Sequence, residues 1–120
     1  MIEQLSSKDA ISIIICHTSD VTARNMAEHI CRGVEEEQMP ARLVEKSGTS
    51  LELARFASEI SLLAIGVGVD QSAVITLTHF QMPSDTPVMQ ITSAGKADLA
   101  RMMGSNAARL YKRTPFIFES

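Results

Sequence analysis

Residues able to do chemistry fall in a few places along this chain of 120 residues. Three are histidines, His17, His29 and His79, whose ordinary titration lies near neutral pH. His17 and His79 stand near predicted strand ends, where an α/β sheet opens its ligand crevice. No G-x-S-x-G elbow accompanies them and no acidic pair is placed beside them. They read as ordinary loop and surface histidines. Gly66-Val67-Gly68 begins like a dinucleotide fingerprint, but Gln71 stands where the third glycine belongs. No helix is predicted after it to aim an N-terminus at a phosphate. These glycines read as allowing close packing on a crowded strand. Cys16 and Cys31 have no CxxC or Cys/His metal spacing and read as small buried hydrophobes of a reduced, cytoplasmic protein. Seven methionines read as gap fillers, with one of Met102 and Met103 facing the core.

The remaining place is GVEEEQMP, residues 33 to 40, where Glu35, Glu36 and Glu37 crowd the predicted end of a helix. The last carbonyls of a helix carry roughly half a negative charge and favour cations, so each carboxylate there is opposed by roughly 0.3–1 kcal/mol. Consecutive helical positions fan across about 200°, so one or two of the three can face any single partner. A solvated face is the plain explanation. A compensating cation, either a metal ion or a basic surface of another chain, is the alternative.

The elements that position these residues follow from pattern. AISIIIC, 10 to 16, is apolar almost throughout, as for a strand covered on both faces. His17-Thr18-Ser19-Asp20 is a loop that caps a helix from Val21 to about Gln38. ARLVE, 41 to 45, is a short strand. Thr49 and Glu52 have capping-box spacing and open a helix from Ser50 to about Ser58. ISLLAIGVGV supplies a buried strand, and AVITLTHF, 73 to 80, forms a hairpin with it through Asp70-Gln71-Ser72. MPSDTP is a loop, PVMQIT a strand, and Lys96 to about Lys112 the last helix. The order β-α-β-α-β-β-β-α predicts a three-layer α/β sandwich with a mostly parallel sheet and one antiparallel element. One domain spans 1–120, with 1–9 as a polar lead-in. A net charge of −3 and 4% aromatics exclude a general nucleic-acid binder. No signal peptide is read at the start, and the stretch LLAIGVGV is too short to cross a bilayer.

Four segments carry a family resemblance. GVEEEQMPARL resembles the G-[IV]-E-E-x-G-[IV]-P segment in the small subunit of diol and glycerol dehydratase-reactivating factors. SLLAIGVGVD is similar to that family's S-P-L-x-V-G-I strand, and ITLTHFQMPSDTPV to its L-T-H-x-x-L-P-x-x-x-P strand and loop. GSNAARLYKRTPF resembles its G-x-N-A-x-x-L-V-K-x-x-P-[FL] ending, the most specific of the four. The sequence departs at Gln38, where the motif has glycine, and at Tyr111, where it has valine.

The resemblance implies a fold like a domain of the dehydratase medium subunit and no catalysis by this chain. It implies pairing with a large, actin-fold, chaperone-like ATPase subunit, as two large and two small subunits, and transient contact with the dehydratase large subunit. The assembly releases damaged cobalamin from an adenosylcobalamin-dependent diol or glycerol dehydratase, the small subunit displacing the medium subunit from a shared surface. A bacterial microcompartment is left open as the narrower setting. By motif position, Glu36 completes a divalent-metal site, Mg²⁺ by its oxygen ligands, at the large-subunit interface; this chain alone holds no metal. A rival is a cobalamin-contacting, medium-subunit-like component of a dehydratase, against which the length argues, since that subunit has further segments. A small flavodoxin-like enzyme or ligand-binding domain would need a Gly- or Ser-rich phosphate loop where His17-Thr18-Ser19-Asp20 stands.

Overall fold

The chain is described by a computed structural model covering residues 10–118; the expected lead-in, 1–9, lies outside the described residues. The elements are β1 (Ile13–His17), α1 (Val21–Glu36), β2 (Ala41–Glu45), α2 (Ser50–Ile60), β3 (Ile65–Val69), β4 (Val74–His79), β5 (Met89–Thr92) and α3 (Ala97–Lys112). This is the predicted order. The strands form one sheet in the order β2-β1-β3-β4-β5. β1 pairs in parallel with β2 and β3, whereas β4 is antiparallel to both β3 and β5. One strand of five therefore runs against the others, as expected.

The apolar run of β1 is explained by its two covered faces. Ile13 and Ile15 pack into the larger core with Ile30, Val34, Val67, Leu77 and Met103, beneath α1 and α3. Ile14 and Cys16 point the other way, to Val44, Leu53 and Ala57, where α2 covers the sheet. Met103 is fully buried and Met102 partly so, which settles which of the pair faces the core.

Glycines set how closely the layers approach. A Cβ on Gly66 would meet the α2 backbone at Ala54 and Ser58, and one on Gly68 would meet it at Ser50. The Gly-Val-Gly of β3 is thus a seat for α2. The same device joins α1 to α3. A Cβ on Gly33 would collide with the Arg101 carbonyl, and one on Gly104 with the Ile30 carbonyl.

Several boundaries differ from expectation. β1 begins at Ile13, since residues 11 and 12 form a bend, and it runs on to include His17. β3 begins at Ile65, not Ile60: Ser61–Ala64 form a turn, with the Ser61 hydroxyl donating to the Ser12 carbonyl at 2.6 Å and Ala64 left-handed at φ 63°. α2 runs two residues further, to Ile60, and opens with the expected Thr49–Glu52 capping box. β5 is shorter than PVMQIT and half-exposed, as befits an edge strand.

Candidate functional site

The three adjacent glutamates end in three different environments, because α1 stops in their midst. Glu35 and Glu36 are the last helical residues and Glu37 is the C-cap. Gln38 then turns left-handed at φ 64°. Its N–H donates to the Glu35 carbonyl at 2.9 Å, and the Met39 N–H donates to the Val34 carbonyl at 3.3 Å. This is a Schellman ending, with Met39 packed on the core that holds Val34. Gln38 occupies the position where the resembled segment has glycine, and it adopts the conformation a glycine would.

Glu37 is held by the last two turns of α3. Its Oε2 accepts from Arg109 Nε and an Arg109 terminal nitrogen at 3.2 Å, and its Oε1 accepts from Lys112 Nζ at 3.2 Å. Lys112 Nζ also donates to the Glu37 carbonyl at 2.8 Å, which gives the end of α1 the cation its dipole favours. The Lys112 and Arg109 hydrogen bonds hold the Glu37 carboxyl below the usual glutamate range. Glu36, one residue earlier, meets Arg101 of α3 with 3.8 Å between Oε2 and Nε, and the two side chains are 56% and 44% exposed. That separation is an ion-pair contact outside hydrogen-bond range. Glu35 is exposed beside Cys31, whose thiol is pushed up by burial first and by the Glu35 charge second.

The compensating cations expected from a metal or another chain are thus supplied in part by α3 of the same chain. Arg101, Arg109 and Lys112 were not read as partners of the glutamates. A signal existed: spacings of eight and eleven residues put all three on one helical face. The close approach of the helices, Gly33 against the Arg101 backbone and Gly104 against the Ile30 backbone, then brings that face alongside the end of α1.

The other candidates are dispersed. His17, expected in the loop, is the last residue of β1 and is 5% exposed, because the parallel pairing with both neighbours continues through it to Glu45 and Val69. Its Nδ1 donates to the Thr18 carbonyl at 2.8 Å. His79 ends the antiparallel β4 opposite Ile65, at the other end of β3, and its Nδ1 accepts from the Gln81 N–H. His29 sits half-buried on α1. No two of the three converge.

At the carboxyl ends of β1, β2 and β3, the loops bearing Thr18–Asp20, Ser47–Thr49 and Asp70–Ser72 enclose a cleft of about 460 Å³. This is the switch point of the sheet, where α/β domains bind ligands. Here the chain's own acids occupy it. Asp20 accepts from the Ala23 N–H at 2.9 Å, and the Thr18 hydroxyl and that N–H hold its carboxyl below the usual range. Asp70 accepts from the Ser50 N–H at the start of α2 and from the Ser72 N–H. The helix N-termini that would cradle a phosphate already carry carboxylates.

The family model for the dehydratase medium subunit matches residues 11–117. The chain belongs to the dehydratase medium subunit family. Within it, the chain is 36% identical over 92 residues to a probable glycerol dehydratase-reactivating factor small subunit of Citrobacter freundii, covering 74% of this chain and 78% of that one. It is 31% identical over 86 residues to a propanediol dehydratase-reactivating factor small subunit of the same organism, covering 70% and 72%. Among solved structures, a glycerol dehydratase reactivase superposes with a TM-score of 0.82 at 26% identity, over 89% of this chain and 96% of that one. A diol dehydratase-reactivating factor complexed with ADP and Mg²⁺ superposes at 0.78 and 27%, over 89% and 97%. These relatives place this family member with the reactivating-factor small subunits, as its four motifs implied.

Whether the family member's residues suit a divalent cation is a question of which oxygens are free. Among the described residues no three of His, Cys, Asp and Glu gather as a metal cluster, so what these residues offer a cation is single carboxylates. Both Glu37 oxygens are taken by cations. Glu36 has a half-exposed carboxylate with one loose ion pair. It suits donation of an oxygen to a cation held mainly by another chain. No helix of the described residues is long and apolar enough to cross a membrane.

Proposed function

We propose that this chain is the non-catalytic small subunit of a chaperone-like factor that reactivates an adenosylcobalamin-dependent diol or glycerol dehydratase. The observation that carries this reading is the match to reactivating-factor small subunits across about three quarters of the chain. The chain pairs with a large ATPase subunit, two of each in the assembly. It occupies the dehydratase surface normally held by the medium subunit, whose family it shares. Displacing that subunit opens the dehydratase large subunit and frees damaged cobalamin, so that intact coenzyme can enter. Self-occupied helix N-termini at the switch-point cleft suit a subunit that works by docking and not by binding a nucleotide of its own.

Glu36 is the residue we assign to the large-subunit interface, as an oxygen ligand to Mg²⁺. The cation supplies a fixed positive charge between two chains. On this side Glu36 meets it, while Glu37 keeps the end of α1 in place.

Co-expression with the cognate large subunit tests the assembly, and co-purification in equal amounts is expected. Failure of the two chains to associate would overturn the reading. For the site, Glu36→Gln is expected to weaken Mg²⁺-dependent association and leave the melting temperature of the isolated subunit nearly unchanged. Glu35→Gln is expected to do little to either, and Glu37→Gln to lower the melting temperature. Equal small effects at all three positions would remove the metal assignment and leave the family assignment standing.

A further inference from the structure

The backbone of Arg101 is placed by the packing of α3 on α1. Its carbonyl lies against the Cα of Gly33, where no side chain fits, so the residue is fixed one turn below Glu36. From there the guanidinium reaches the Glu36 carboxylate at 3.8 Å, with both groups about half exposed. This contact is loose, unlike the Glu37 cluster, where two cations bond one carboxylate at 3.2 Å and one of them also bonds the backbone. The end of α1 thus has one anchored carboxylate and one held by a replaceable partner.

We propose that Arg101 is a place-holder cation for Glu36, occupying the carboxylate in the free subunit and giving way when Mg²⁺ is presented at the interface. This rests on the assignment of Glu36 as a metal ligand. Lys112 and Arg109 already meet the helix end and Glu37, which leaves Glu36 as the carboxylate that Arg101 faces before assembly. Because Arg101 competes for the same oxygens, it discourages the lone carboxylate from taking up the cation until the large subunit contributes further ligands. Arg101 is a positioning residue in this scheme and touches neither nucleotide nor coenzyme.

The test is association of the small and large subunits, followed by sedimentation velocity across a Mg²⁺ titration. An exposed pair of this kind shifts an equilibrium by up to about fivefold. Arg101→Ala is therefore expected to lower the Mg²⁺ concentration for half-maximal association two- to fivefold, and Arg101→Lys to restore the midpoint. In a Glu36→Gln background the Arg101→Ala shift is expected to vanish. A midpoint that Arg101→Ala leaves in place or raises, with Glu36→Gln still weakening the Mg²⁺-dependent association, overturns the place-holder role alone. A Glu36→Gln subunit that keeps the full Mg²⁺ dependence overturns the metal reading beneath it. Weakened association at every Mg²⁺ concentration in Arg101→Ala would make Arg101 a direct partner contact and also overturn the proposal.

Discussion

Asn106 holds Ile117 by both sides of its backbone. The Asn106 amide nitrogen donates to the Ile117 carbonyl at 2.8 Å, and its oxygen accepts from the Ile117 N–H at 2.6 Å. The side chain is fully buried and acts as a one-residue strand against the tail that follows α3. Arg109 adds a hydrogen bond to the Pro115 carbonyl at 3.1 Å. The G-x-N-A segment thus positions the tail through its asparagine.

Replacing Asn106 by Ala is expected to free the tail and cost about 1–3 kcal/mol, since it unpairs two backbone groups beside a buried site. Hydrogen exchange at the Ile117 amide should rise toward the unprotected rate, while amides of β1 and β3 slow or quicken only with global stability. Unchanged protection at Ile117 would show that the tail is held by other contacts.

Acid should loosen the end of α1 through Glu37. Its folded pKa lies below the unfolded value near 4.5, so its stabilising effect is fully present above that value. The effect is lost as pH falls through the folded pKa. Urea unfolding followed from pH 6 downward should show stability falling below about pH 4.5, and Glu37→Gln should remove part of that slope. At neutral pH the same substitution should cost about 1 kcal/mol, because it weakens hydrogen bonds to two partly exposed cations. A pH profile identical to that of the unsubstituted chain would rule out the linkage.

Gln38→Gly is expected to stabilise the subunit by roughly 0.5–1 kcal/mol. It removes a left-handed penalty of about 1–2 kcal/mol at φ 64° and returns part of that as unfolded-chain entropy. Denaturant midpoints with an unchanged slope measure it. A loss of stability would mean that the Gln38 side chain contributes more than its backbone costs.

How much of this was legible depended on whether the cause was local. The fully buried β1 and β3, the capping box at Thr49 and the hairpin at Asp70–Ser72 are short-range patterns, and each is seen. His17 was misplaced because strand extension is decided by neighbours at Glu45 and Val69, far along the chain. For the glutamates, the sequence displayed an electrostatic debt at the end of α1 without showing what offsets it. Arg109 and Lys112 lie more than seventy residues away, and the close packing of α1 on α3 at Gly33 and Gly104 brings them near.

The place of β1 between β2 and β3 has a consequence for the chain while it is still being made. Ile13, Ile14, Ile15 and Cys16 are sealed on both faces in the finished sheet. Yet β3, one of the two strands that flank β1, lies about fifty residues later, which at 5–20 residues per second is on the order of 3–10 s of synthesis. Through that interval the nascent polypeptide carries an uncharged, β-prone run with an open edge, the composition from which intermolecular strand pairing starts. The segment that anchors the native sheet is therefore where aggregation on the ribosome would begin, and a second chain or a holdase arriving early would act there first.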